Sequence, residues 1–253
     1  MANVADSWFR SGQARGRVDL RLFCFPYAGG TALVYRDWID KVPPTVQVLA
    51  VELPGRGSRL REPPFVSMPD LIDTLTEAIL PFLDAPFAFF GHSMGAVIAF
   101  ELARRVRRQH DCGPQMLFVS GRRAPQIPDD DPACYDLPRA EFIAELRRLA
   151  GTPKEVLEHT ELIELMMPLL RADFQMIQTY QYNSDAPLRC PINAYGGLQD
   201  YEETRERLLP WREQTSSGFA LQIVPGDHFF LRSSQSVLLA MVVRELQKIV
   251  TAS

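Results

Sequence analysis

The chain has 253 residues, 46% hydrophobic and 23% charged, with a formal net charge of −4. That length supports a large core without disulfides or metals, and the composition excludes disordered, collagen-like and fibrous classes. The mild acidity argues against a general nucleic-acid binder, and no apolar run reaches the roughly 18 residues of a membrane span.

In chain order, residues 1–10 lack the apolar stretch of a signal peptide. Residues 18–25 and 46–53 read as strands, 69–83 as a helix with Leu71, Leu75, Ile79 and Phe82 at helical spacing, and 87–90 as a short, wholly apolar strand. A helical pattern follows over 94–108, then a strand over 116–120. From 124 to 188 no strand is evident. Pro125 to Pro132 form a loop, 141–149 a helix ended by Gly151, and 162–170 a segment apolar on nearly all sides. Strands over 192–195 and 219–224 flank a polar helix over 201–211, and an apolar helix over 237–250 closes the chain. Such alternation predicts a single α/β domain over 1–253, with a mainly parallel sheet covered by helices on both faces. The stretch 126–188 is expected to be a helical lid inserted between two strands.

The run 87–90 leads straight into Gly91-His92-Ser93-Met94-Gly95 and then a helix. This is G-x-S-x-G in the strand–turn–helix context of a nucleophile elbow. So sharp a turn strains the serine backbone, and a side chain at 91 or 95 would collide with the adjoining elements. Ser93 is expected to stand at a helix N-terminus, where the dipole favours developing negative charge. The alternative is a glycine-rich turn with an incidental serine.

A serine hydroxyl needs a base, and the base an orienting acid. Of four histidines, His92 sits inside the elbow, pointing away from its neighbour's hydroxyl; His110 ends an arginine-rich helix, and His159 falls in the insertion. His228 follows the last strand and alone shares Ser93's carboxyl edge of the sheet. Asp200 follows the strand 192–195 at that edge, so the order Ser93, Asp200, His228 is that of the α/β-hydrolase fold. Asp227 is its rival, and a helix N-cap is the other use of Asp200. An oxyanion hole needs two backbone amides: Met94, next to the nucleophile, and one from the loop 25–30.

The segments FCFPYAGG (23–30), ELPGRGSRLREP (52–63), FFGHSMGA (89–96), SGRRAP (120–125), PINAYGGLQD (191–200) and GDHFFL (226–231) together carry a likeness. The chain resembles the type II thioesterases, discrete editing enzymes of polyketide synthases and nonribosomal peptide synthetases. The resemblance spans almost the whole chain. It implies hydrolysis of acyl thioesters on the phosphopantetheine arm of acyl or peptidyl carrier proteins. Ser93 is then the nucleophile, His228 the base and Asp200 the acid, with the amides of Ala28 and Met94 as oxyanion hole. Two positions depart from the family pattern: Tyr201 follows the acid where proline is frequent, and Gln178 stands where glutamate is associated.

Serine chemistry of this kind needs no cofactor, and no metal-ligand spacing is present. Rivals are a general serine carboxylesterase or lipase, a fatty-acid chain-terminating thioesterase, and a scaffold without turnover, against which the intact set argues. Arg104, Arg105, Arg107 and Arg108 fit either carrier docking or a solvated helix end, and Arg56, Arg59 and Arg61 lie in a loop that could approach the site. The apolar segment 162–170, continued by Phe174 and Ile177, suits both lid packing and an acyl chamber. Asp129 to Asp131 read as a solvated loop. Cys24, Cys112, Cys134 and Cys190 show no CxxC spacing, which fits free thiols in a cytoplasmic protein. No unexplained exposed apolar helix is evident, so a monomer is expected, and the charge and hydropathy leave no nucleic-acid or membrane partner expected.

Overall fold

The computed structural model describes residues 7–11, 16–129, 131–152 and 154–252. Seven strands form one sheet: β1 (Phe9–Ser11), β2 (Leu20–Phe25), β3 (Val46–Val51), β4 (Phe87–His92), β5 (Leu117–Ser120), β6 (Ile192–Gly197) and β7 (Phe219–Val224). Their order is β1-β3-β2-β4-β5-β6-β7. β1 runs antiparallel to β3, with Phe9 opposite Val51, and every other neighbouring pair is parallel. The helices are α1 (Met68–Ile79), α2 (Met94–His110), α3 (Arg139–Leu149), α4 (Lys154–Glu158), α5 (Thr160–Gln178), α6 (Arg205–Leu208), α7 (Phe230–Ser233) and α8 (Gln235–Ala252).

Side chains alternate across a strand, so each apolar run supplies two cores. Phe23, Phe25, Leu49, Val51, Phe89 and Val119 face one way and pack with Leu71 and Leu75 of α1 and Val97 and Phe100 of α2. Leu22, Cys24, Val48, Ala50, Phe90 and Phe118 face the other, against Tyr35 and Trp38 of the 3-10 turn Ala32–Trp38 and Leu238, Val242 and Leu246 of α8. Burial on both faces explains why these strands read as continuous rather than alternating hydrophobic runs.

Helices α3, α4 and α5 lie between β5 and β6 in sequence and hold a third cluster of their own, including Phe142, Leu146, Leu157, Ile163, Met167 and Leu170. α5 continues to Gln178, beyond the expected 170, and carries Pro168 inside it. The helix expected over 201–211 is a single turn, α6, followed by the 3-10 turn Leu209–Gln214, whose second residue is Pro210. A proline cannot donate to the preceding turn, which ends regular α geometry there. β1 was not predicted: three residues with one buried side chain carry no periodicity to read. Among the described residues no helix is long and apolar enough to cross a membrane.

The topology sets where a site can form. The chain leaves β2 for β3 on one side, while β4 pairs with β2 on the other, opposite Gly91 at Phe25. Loops leaving such neighbours diverge and open a crevice at the carboxyl edge of the sheet.

Candidate active site

Ser93 occupies that crevice. Its backbone has φ 55° and ψ −119°, a conformation unfavourable for a residue with a side chain, imposed by passage from β4 into α2. Two glycines make the turn possible. A Cβ on Gly91 would lie 2.0 Å from the Gly95 carbonyl oxygen, and one on Gly95 would lie 2.1 Å from the Phe25 carbonyl oxygen. The Ser93 amide donates to the Ser120 carbonyl at 2.8 Å, fixing the elbow to β5. Met94 is the first residue of α2, where an amide has no intrahelical acceptor.

His228 Nδ1 lies 2.8 Å from Asp200 Oδ2. The other carboxylate oxygen accepts the amides of Glu202 at 3.2 Å and Glu203 at 3.0 Å, so both oxygens are committed. Burial raises the Asp200 pKa, but the His228 partner and the two amides outweigh it and hold the carboxyl below its ordinary value. Asp227, the rival acid, accepts the Phe229 amide at 2.9 Å instead.

Ser93, Asp200 and His228 line one cavity of about 460 Å³ with Ala28 and Met94. The inserted helices form much of its wall through Leu146, Leu149, Leu170, Phe174 and Ile177. Charged side chains line it as well, Arg122, Arg123, Glu202 and Glu203 from the body and Glu145 and Arg148 from the insertion.

The thioesterase-domain profile matches residues 20–249 of the chain. The chain belongs to the thioesterase family. The thioesterase is 43% identical over 242 residues to the gramicidin S biosynthesis protein GrsT of Aneurinibacillus migulanus, covering 96% of this chain and 94% of that one. It is 45% identical over 243 residues to a Brevibacillus parabrevis protein named linear gramicidin dehydrogenase LgrE, covering 95% and 92%. The turn after β2 in this chain reads Pro26-Tyr27-Ala28-Gly29-Gly30, without the G-x-G-x-x-G spacing of a dinucleotide site. Among solved structures, the type II thioesterase BorB from the borrelidin biosynthetic cluster superposes with a TM-score of 0.87 at 35% identity, over 95% of this chain and 98% of that one. The names of GrsT and BorB place those relatives in gramicidin S and borrelidin biosynthesis.

Several expectations for the surrounding residues need correction. The arginine-rich end of α2 is solvated only at Arg108, which is exposed; the other three arginines are engaged. Arg104 is buried against Phe100 and Tyr182 and bonds Glu101, Arg105 pairs with Asp73, and Arg107 holds the carbonyls of Ala186 and Pro187 and the Asp185 carboxylate. Arg104 and Arg107 fasten the chain segment leading to β6. Asp129 is not simply solvated: it pairs with Arg122 and Arg123, while Asp130 lies outside the described residues. Gln178 caps the insertion from within, its side-chain oxygen accepting the amides of Cys134 and Tyr135. On α5, Leu162 and Leu165 are exposed, whereas Ile163, Met167 and Leu170 are buried. Arg56 and Arg59 are buried and Arg61 is exposed.

Sequence reasoning missed two supports of the site. Arg123 donates its backbone amide to Glu203 at 2.7 Å and its Nε to both Glu203 oxygens at 3.1 Å, which clamps the turn presenting Asp200. Burial pushes the Glu203 carboxyl up against the lowering effect of Arg122 and Arg123. The segment 120–125 signalled this by its likeness to the family, without indicating a partner. The second support is His92. Its Nε2 lies 3.0 Å from the His228 carbonyl and its Nδ1 2.9 Å from Ser120 Oγ. A carbonyl only accepts, so Nε2 carries the hydrogen and Nδ1 accepts from the serine. Burial, with the neighbouring His228 ring, pushes the His92 pKa down to about 3.

That shift has a thermodynamic consequence. Below pH 6.5 the unfolded chain binds a proton at position 92 that the native thioesterase refuses until about pH 3. Stability therefore falls with decreasing pH across that window, by about 1.4 kcal/mol per unit from this group. Urea titrations between pH 6.5 and 4.5 should show a shallower slope for His92→Gln than for the wild type. Equal slopes would remove His92 as the source.

Proposed function

We propose that this thioesterase releases acyl groups from the phosphopantetheine arm of acyl or peptidyl carrier proteins in nonribosomal peptide or polyketide assembly, clearing stalled or aberrant units. The observation carrying this reading is the strained Ser93 elbow sharing one cavity with the His228–Asp200 pair. The pathways named for GrsT and BorB support the carrier-bound substrate.

Asp200 accepts a hydrogen bond from His228 Nδ1–H, so Nε2 is the basic nitrogen. Ser93 Oγ attacks the thioester carbonyl as its proton passes to Nε2. The oxyanion is held by the Ala28 and Met94 amides, the helix N-terminus adding its dipole. The carbon–sulfur bond then breaks, and His228 returns the proton to the leaving thiolate. Water, deprotonated by the same nitrogen, hydrolyses the acyl-serine to a free carboxylic acid. No step requires a cofactor. The insertion α3–α5 serves as the lid, its apolar side chains facing the acyl group.

The test is one short acyl group presented on a holo-carrier protein, on coenzyme A and as an activated oxygen ester, with Ser93→Ala as the blank. A higher kcat/KM for the carrier form is expected. Equal or faster turnover of the oxygen ester would favour a general esterase.

A further inference from the structure

The loop that supplies the Ala28 amide is held by a buried ion pair. Gly30 donates its amide to the Tyr27 carbonyl at 2.8 Å, and Gly29 has φ +75°, the value a type II turn demands at its third residue. The turn's own hydrogen bond leaves the Ala28 amide uncommitted. On its far side, Gly29 donates its amide to Asp173 Oδ2 of α5 at 2.7 Å. Arg56, from the loop after β3, donates to both Asp173 oxygens at 2.9 and 2.7 Å and to the Gly30 carbonyl at 3.1 Å. Both side chains are almost inaccessible, at 2% for Arg56 and 1% for Asp173. On the near side, the Tyr27 hydroxyl accepts from Arg232, and its ring packs edge-on against Phe229 and His92. The Tyr27–Ala28 peptide is thus gripped from both ends.

We propose that Arg56 and Asp173 are positioning residues for the oxyanion hole, aligning the Ala28 amide by tying its turn to the lid helix α5. An apolar pair would join a lid to a loop without the desolvation of two charges. Here the charges also hold the turn's backbone at Gly29 and Gly30, which an apolar pair cannot do. The same helix presents Leu170, Phe174 and Ile177 to the cavity. An acyl group that displaces α5 therefore also displaces the donor, so poor fit is expressed in kcat rather than in KM.

This inference rests on the hydrolase reading above, and one experiment separates their failures. Asp173→Asn keeps the side chain's shape, while Arg56→Met with Asp173→Leu removes both charges together and avoids a lone buried ion. Each is assayed for kcat, KM, Tm and inhibition by an alkyl boronic acid, whose Ser93 adduct places a negative oxygen in the hole. Expected for both is a kcat loss of about 10-fold or more, with KM within about twofold and boronate affinity reduced in step. In the double variant this loss should persist with Tm near that of wild type. A kcat within about twofold of wild type in Asp173→Asn, or recovery of kcat along with Tm in the double variant, would overturn the proposal. Should the double variant not fold, Asp173→Asn decides alone. Failure of the hydrolase reading shows separately, as wild-type thioester turnover that survives Ser93→Ala.

Discussion

Ser93→Ala is expected to lower kcat by about a million-fold and Asp200→Asn by about ten-thousand-fold, with the double variant no worse than Ser93→Ala alone. In the proposed mechanism Ser93, His228 and Asp200 act as one proton-transfer unit, so losses do not add once the nucleophile is gone. The asparagine effect follows from the bonds around position 200. The Glu202 and Glu203 amides donate to Oδ1 and would hold the asparagine oxygen on that side. Its amino group then faces His228 Nδ1, where the carboxylate stood at 2.8 Å. A donor there forces the ring hydrogen onto Nε2, and that nitrogen can no longer accept the serine proton. Stopped-flow release of free thiol measures all three variants, and calorimetry should place their Tm close to wild type. An Asp200→Asn enzyme retaining a tenth or more of its activity would send the acid's role elsewhere.

Gly95→Ala is the second large effect, and it acts on the fold as well as on the chemistry. The added methyl group would meet the Phe25 carbonyl oxygen at 2.1 Å and carbon at 2.6 Å, and the Pro26 carbonyl oxygen at 2.7 Å. These are backbone atoms of β2 and the loop carrying Ala28, so no rotamer change relieves the overlap. A loss of about 4 kcal/mol or more is expected, a fall in Tm on the order of 10 °C. Whatever fraction folds should have lost activity, because α2 can relax only by moving Ser93 away from the β2 loop. Gly113→Ala is the control: nothing lies within 4 Å of its added Cβ, so its stability should stay within about 0.5 kcal/mol of wild type.

What was readable in the sequence follows from how local each constraint is. The strands β2 to β6 were legible because burial on both faces makes each a largely apolar run, and β7, half-exposed at the sheet edge, by its apolar residues alone. The elbow was legible because its steric demand falls on glycines two positions either side of Ser93. His228 and Asp200 followed from topology, since the carboxyl edge of a parallel sheet collects the loops after each strand. By contrast, the partners of Arg56, Arg107 and Arg123 lie far along the chain, and no spacing marks Asp173, Asp185 or Glu203 as their acceptors. A buried arginine looks like a surface arginine until the opposing carboxylate is placed. β1 escaped notice because three residues at a sheet edge leave no period.

The bond between His92 and the carbonyl of His228 joins positions 136 apart in the chain. It also sets an order in time. During synthesis the strand bearing Ser93 is complete long before the base exists, and non-local pairing of this kind closes late in folding. On the proposed mechanism, a growing or truncated chain ending before β7 carries Ser93 with nothing to deprotonate it, and is expected to be chemically silent. Recovery of turnover after dilution from denaturant therefore times the closing event rather than the first collapse of the sheet. On the proposed function, no acyl group can be released until the chain's own last strand and final helices have docked.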